Sequence, residues 1–157
     1  MASSLRVIVD TNILLRGLVN IRSAAGRVVR VCDERRVVLL TSKPVMAEYR
    51  SVLTDPYIVE RYPELTNEKV EIALRRLRYV GDVIRPTAEF HYPRDPKDQM
   101  FVELAISGRA THIVSADKDL LSLPYGHSDP ARRFRQRAGS TLIVGPAGFL
   151  AELDGAL

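Results

Sequence analysis

Short apolar runs alternate along the chain with stretches whose apolar residues recur every three or four positions. The first run, Leu5-Arg6-Val7-Ile8-Val9, holds three β-branched residues in succession. That composition suits a strand buried on both faces rather than an amphipathic one. Val37–Leu40, Val83-Ile84, His112–Ser115 and Leu142–Val144 have the same character and strand length. The intervening stretches read as helices. Thr11–Val19 follows the first strand, and Ala24–Glu34 follows with Ser23 as N-cap. Ser42-Lys43-Pro44 opens a helix to Leu53, with proline in its first turn, and Thr54-Asp55-Pro56 stops it. Thr66 caps the longest helix, whose Val70, Ala73, Leu74, Leu77 and Val80 share one face, and Gly81 ends it. Asp95-Pro96 opens a helix to Ser107, with Gly108 as its C′ residue. A short helix follows Asp117, Gly126–Gly139 reads as an exposed loop, and Pro146–Leu153 closes the chain.

Strands separated by helices imply an α/β fold with a parallel sheet and right-handed crossovers. The 157 residues, 46% of them hydrophobic, suit a single domain spanning residues 1–157, able to bury a core without disulfides or a structural metal. There is no run of membrane-spanning length and no secretory pattern at the N-terminus. The one cysteine, Cys32, falls in a helical pattern and suits buried packing in a reducing, cytoplasmic setting.

Chemistry enters with the acids. Asp10 ends the first strand, in the place where open α/β sheets bind ligands. Glu48 lies about a turn into the helix after the second strand. Asp98 sits in the first turn of the helix opened by Pro96, and Asp117 follows the strand His112–Ser115. Each has a bland role as a helix cap, a first-turn acid or a surface residue. With parallel strands, all four can face one edge of the sheet. Two unit charges about 4 Å apart repel by roughly 4 kcal/mol at an effective dielectric of 20; four acids make six pairs, and even with wider spacings their sum reaches on the order of 10–20 kcal/mol. That rivals the whole stability of a domain, about 5–15 kcal/mol. A converged cluster must take up protons or cations, and an all-oxygen ligand set selects Mg²⁺ or Mn²⁺. His91, His112 and His127 are too scattered for a zinc site.

Val7-Ile8-Val9-Asp10-Thr11-Asn12, Ser42 with Glu48 six residues on, Asp95-Pro96-Lys97-Asp98, and Ile113-Val114-Ser115-Ala116-Asp117-Lys118-Asp119 resemble, in order and spacing, the PIN domain. Within it they look most like the VapC-like toxins of prokaryotic toxin–antitoxin systems. The resemblance covers Arg6 to Leu153. It implies a three-layer α/β/α sandwich around a mainly parallel sheet and a Mg²⁺- or Mn²⁺-dependent ribonuclease acting on RNA. A homodimer and a cognate antitoxin come with the same family. It carries the metal-holding catalytic acids onto Asp10, Glu48, Asp98 and Asp117, and supporting roles onto Asn12, Ser115 and Asp119. The chain departs from the pattern at His112, where the family often has an acid, and at Gly145-Pro146-Ala147-Gly148-Phe149, where a Glu-Phe pair is usual. One or two ions remain open.

The charge balance, 23 Lys and Arg against 19 Asp and Glu for a net of +4, permits a nucleic-acid partner without demanding one. Arg132, Arg133, Arg135 and Arg137 crowd into one stretch and could grip RNA phosphates. They could equally hold an acidic antitoxin segment, or form a solvated charged loop. Two other functions fit parts of the pattern. An aspartyl phosphatase of the haloacid dehalogenase type would use Asp10 as nucleophile, but it wants a second Asp where Asn12 stands. A metal-free binding scaffold would not need all four acids.

Overall fold

The computed structural model describes residues 4–155, so residues 1–3 and 156–157 of the expected 1–157 domain lie outside it. Five parallel strands form one sheet in the order β3-β2-β1-β4-β5. They are β1 (Arg6–Val9), β2 (Val38–Thr41), β3 (Asp82–Val83), β4 (His112–Val114) and β5 (Leu142–Val144). The β-branched run of β1 is buried, as is His112-Ile113-Val114 in β4, as a sheet covered on both faces requires. Registers Val7↔Leu39 and Val9↔Val114 place β1 between β2 and β4.

Helices α1 (Thr11–Val19), α2 (Ala24–Asp33), α3 (Lys43–Leu53), α4 (Pro56–Arg61) and α5 (Asn67–Val80) come before the chain enters β3. After it come α6 (Pro96–Gly108), α7 (Lys118–Ser122), α8 (Asp129–Ala138) and α9 (Pro146–Gly155). Helix α6 lies across β1, β2 and β4 and packs on α8, whereas α2 packs against α1, α5 and α9. The result is an α/β/α sandwich. His112 binds β4 to α9: its Nε2 is 2.9 Å from Glu152 Oε1, its Nδ1 2.8 Å from Thr111 Oγ1, and its ring meets the Phe149 ring edge-on.

The caps read from sequence form. Ser23, Ser42 and Thr66 each accept a first-turn N–H of the helix they precede. Three expectations are corrected. The exposed loop at Gly126–Gly139 contains α8, capped by Ser128 and anchored by buried Ala131, Phe134 and Ala138. Its apolar stripe is only three residues wide among arginines, too thin a signal against the charge run. Asp55-Pro56 does stop α3, but the same pair caps and opens α4, which buries no residue. Helix α6 runs through Gly108, and Arg109 takes the left-handed conformation instead (φ 53°). Glycine at 108 serves close packing: a Cβ there would stand 2.9 Å from Leu40 Cδ1.

Buried Tyr49 of α3 sends its hydroxyl to the carbonyl of Val9, the residue before Asp10. Burial first, then the Asp10 charge, holds this phenol well above its ordinary range, so it remains a donor. Tyr49→Phe leaves a buried carbonyl without that donor. The expected loss is about 1–3 kcal/mol of stability, read from the midpoint of urea unfolding at unchanged m-value.

Candidate metal centre

Strand β1 neighbours β2 on one side and β4 on the other, so chain order reverses between β1 and β4. Ligands of open α/β sheets bind beyond the strand ends at such a point. Asp10 leaves β1 there and Asp117 follows β4, and the N–H of Asp10 donates to the Val114 carbonyl (3.0 Å). Each is also a helix cap. Asp10 accepts the N–H of Thr11 (2.7 Å) at the start of α1, and Asp117 accepts those of Asp119 (2.8 Å) and Leu120 at the start of α7.

Ser115 links the two acids. Its hydroxyl donates to Asp10 Oδ2 (2.7 Å) and accepts the N–H of Asp117 (3.0 Å). One fully buried side chain thus holds the Asp10 carboxylate and the backbone of Asp117. The third corner comes from α6, where Asp95 accepts the N–H of Lys97 (3.2 Å) and Asp98 sits one turn in. Oxygens of Asp95, Asp98 and Asp117 lie within 4.8 Å of one another. Asp10, Asn12 and Glu48 line the same cleft of about 200 Å³, together with Thr11 and Lys97.

The structure therefore gathers Asp10, Glu48, Asp98 and Asp117 around one cleft, with Ser115 beneath. Asn12 lines it as well. Asp119 points elsewhere, 3.0 Å from Arg94 Nη2. The four α8 arginines do not line the cleft. Their guanidinium groups donate to backbone carbonyls: Arg132 to His127, Arg133 to His91, Arg135 to Pro124 and Gly126, and Arg137 to Glu89. Sequence reasoning missed two participants. Asp95 reads as a cap, which it is, but a carboxylate has capacity beyond a cap bond. Lys97 carries a cation to the cleft and had no signal beyond its place between the two acids.

Residues 84–95, which form neither helix nor strand, deliver Asp95. Their backbone is held from two sides. On α6, Ser107 Oγ accepts the N–H of Ala88, Glu103 Oε2 that of Phe90 and Gln99 Oε1 that of Tyr92. From α8, Arg137 and Arg133 donate to the intervening carbonyls of Glu89 and His91. Two helices thus supply the alternating partners that a neighbouring strand would give.

The electrostatics fit a cation. Burial first, then Asp95, Asp117 and Asp10, pushes Asp98 up to about 8. Burial also raises Asp10, against the lowering hydrogen bonds from Ser115 and Thr11. Asp98 Oδ2 is buried without a hydrogen-bond partner among the described residues. An orphaned carboxyl oxygen facing other carboxylates is what a hard divalent ion satisfies.

In the ion-free protein the folded state keeps a proton on Asp98 up to about pH 8, whereas the unfolded chain releases it near 4. Between those values the native state binds more protons, so stability falls as pH rises. Urea unfolding in chelator is expected to show lower stability at pH 8 than at pH 5, with a flatter profile in Asp98→Asn. Excess Mn²⁺ should restore the wild-type loss.

Comparison with known proteins agrees with this geometry. The profile of a family described as PIN domain matches residues 6–119. An uncharacterized protein of Methanocaldococcus jannaschii is 29% identical over 119 residues, which cover 76% of this chain and 75% of that one.

Proposed function

Because the chain belongs to the PIN domain family, whose members are commonly metal-dependent nucleases, we propose that it is an endoribonuclease hydrolysing RNA phosphodiesters with Mg²⁺ or Mn²⁺. The observation that carries the reading is the partnerless buried oxygen of Asp98 among Asp95, Asp117 and Asp10. Asp10, Asp98 and Asp117 hold the ion, Asp95 adds an oxygen, and Glu48 faces the same cleft from α3. A divalent cation bound there lowers the pKa of a water and offsets charge developing on the phosphate oxygens.

The chain's own groups do the rest. Ser115 fixes the Asp10 carboxylate and the backbone of Asp117, so these two acids meet the ion already oriented. As water adds to phosphorus the P–O bond to the leaving oxygen breaks; Glu48, which lines the cleft, takes up the proton from the water, and the leaving oxygen takes one from solvent. Lys97 meets a non-bridging phosphate oxygen, and Asn12 orients the substrate at the mouth of the cleft. Asp119 keeps a supporting role through Arg94. The remaining N–H groups of Arg132, Arg133, Arg135 and Arg137 are available to phosphates farther out.

The toxin role belongs to the same proposal, with its cognate antitoxin, homodimer and cytoplasmic location, and rests on the sequence resemblance. No helix among the described residues is long and apolar enough to cross a membrane. Induction in a bacterial host is expected to arrest growth for the wild type and not for Asp10→Asn.

Wild-type protein should cleave single-stranded RNA with Mg²⁺ or Mn²⁺ and stop in chelator. Ser115→Ala should weaken Mn²⁺ binding by calorimetry about 10- to 100-fold, the usual cost of losing a group that orients a ligand, and Asp10→Asn at least as much. Cleavage that persists in chelator overturns the metal mechanism. Absence of Mn²⁺ binding leaves a metal-free scaffold.

A further inference from the structure

Helix α3 separates the acid cleft from a second concavity. Its buried stripe is Val45, Tyr49 and Leu53. Glu48 and Val52, on one side of that stripe, line the acid cleft. Met46, Ala47 and Arg50, on the other side, line a groove of about 470 Å³ against α5, whose wall is Leu74, Arg75 and Arg78. The groove's one acid, Glu71, is paired with Arg50. Arg75 and Arg78 are exposed and make no ion pair or side-chain hydrogen bond among the described residues. This sets them apart from the α8 arginines, which are all engaged with carbonyls. The groove therefore carries an uncompensated charge of two, beside a cleft that is strongly negative.

The ridge between the two is the exposed face of α3. Lys43, Ala47 and Ser51 recur there every four residues and are exposed. Ala47 and Ser51 are small, so a strand can lie close to the helix as it crosses. A helix with its side chains is about 10 Å across, a width that a few nucleotides of extended single strand cover.

We propose that the α3/α5 groove binds the flank of the RNA strand beyond the scissile phosphate, with Arg75 and Arg78 as its phosphate contacts. This rests on the ribonuclease reading of the acid cleft. Guanidinium groups free of partners in an otherwise neutral, partly apolar groove suit a polyanion with bases attached. The ridge places that polyanion one helix width from Glu48.

Binding of a single-stranded RNA of about a dozen nucleotides is measured by fluorescence anisotropy in chelator, so that nothing is cut, at 50 to 200 mM salt. Each phosphate contact on a single strand contributes about 0.7 to the slope of log affinity against log salt. Arg75→Ala/Arg78→Ala should lower that slope by about 1.4, so that the fourfold salt change costs about sevenfold less affinity than in wild type. Ala47→Glu, which leaves both arginines in place, should weaken the same RNA by putting a like charge on the ridge. With Mn²⁺, cleavage of a dinucleotide too short to reach the groove should stay at the wild-type rate in the arginine variant, while cleavage of the long RNA falls. An unchanged salt slope, or unchanged affinity in Ala47→Glu, overturns the groove assignment and leaves the nuclease reading intact. Loss of binding to an acidic peptide with RNA binding untouched would assign the groove to a protein partner instead. A wild type that binds RNA with this slope but cuts nothing would overturn the nuclease reading and keep the groove.

Discussion

Like charges crowded beyond one edge of the sheet are the constraint on which the rest of the molecule turns. Parallel strands deliver Asp10 and Asp117 to a common edge, and α6 adds Asp95 and Asp98. Three helix N-termini meet them, because Asp10, Asp95 and Asp117 cap α1, α6 and α7. A helix dipole favours a nearby acid by about 0.3–1 kcal/mol, whereas a single close pair of charges repels by roughly 4 kcal/mol. Helix starts therefore offset only part of the repulsion. Part of the remainder is relieved by a retained proton, since Asp98 is pushed up to about 8. A divalent cation relieves it without neutralising a ligand. Stability and metal capture are thus two readings of the same cluster.

The strand-end acids could be read from sequence because their surroundings were one-sided. A carboxylate after Val7-Ile8-Val9 is costly unless bonded or charge-compensated, and Asp117 likewise follows a buried run, Ile113-Val114-Ser115. Asp95 was harder for a physical reason. A cap bond occupies one direction at one oxygen, and a sequence records the cap without recording where the other oxygen points. The partner of Asp119 was illegible for a related reason, since only the fold brings Arg94 near it. The parallel sheet also followed from the pattern, as alternation of buried runs and amphipathic stretches implies parallel strands joined by crossover helices; the strand order β3-β2-β1-β4-β5 came only with the fold. Helix α8 did not follow from the pattern, because three buried residues supply its entire apolar face. Its arginines, which the sequence offers as phosphate contacts, antitoxin contacts or a solvated charge run, each donate to a backbone carbonyl in the fold.

The two arginine groups illustrate how little composition says about charge in use. Arg133 and Arg137 spend hydrogen bonds on carbonyls of the segment before α6, and Arg133 also stacks over the Phe90 ring. Arg75 and Arg78 have no such duty and face a groove. A basic cluster in sequence became a fastening, and two scattered arginines on α5 became open surface.

The segment held between α6 and α8 has a consequence for how tightly an ion is captured. Fixing one residue's backbone costs about 1–2 kcal/mol of conformational entropy. Were residues 84–95 loose, an ion would have to order them each time it drew Asp95 into place, and its affinity would fall by that amount. Alternating anchors at Ala88, Glu89, Phe90, His91 and Tyr92 place that expense in folding instead. The helix farthest from notice in the sequence thus acts as an entropic brace for a carboxylate it never touches.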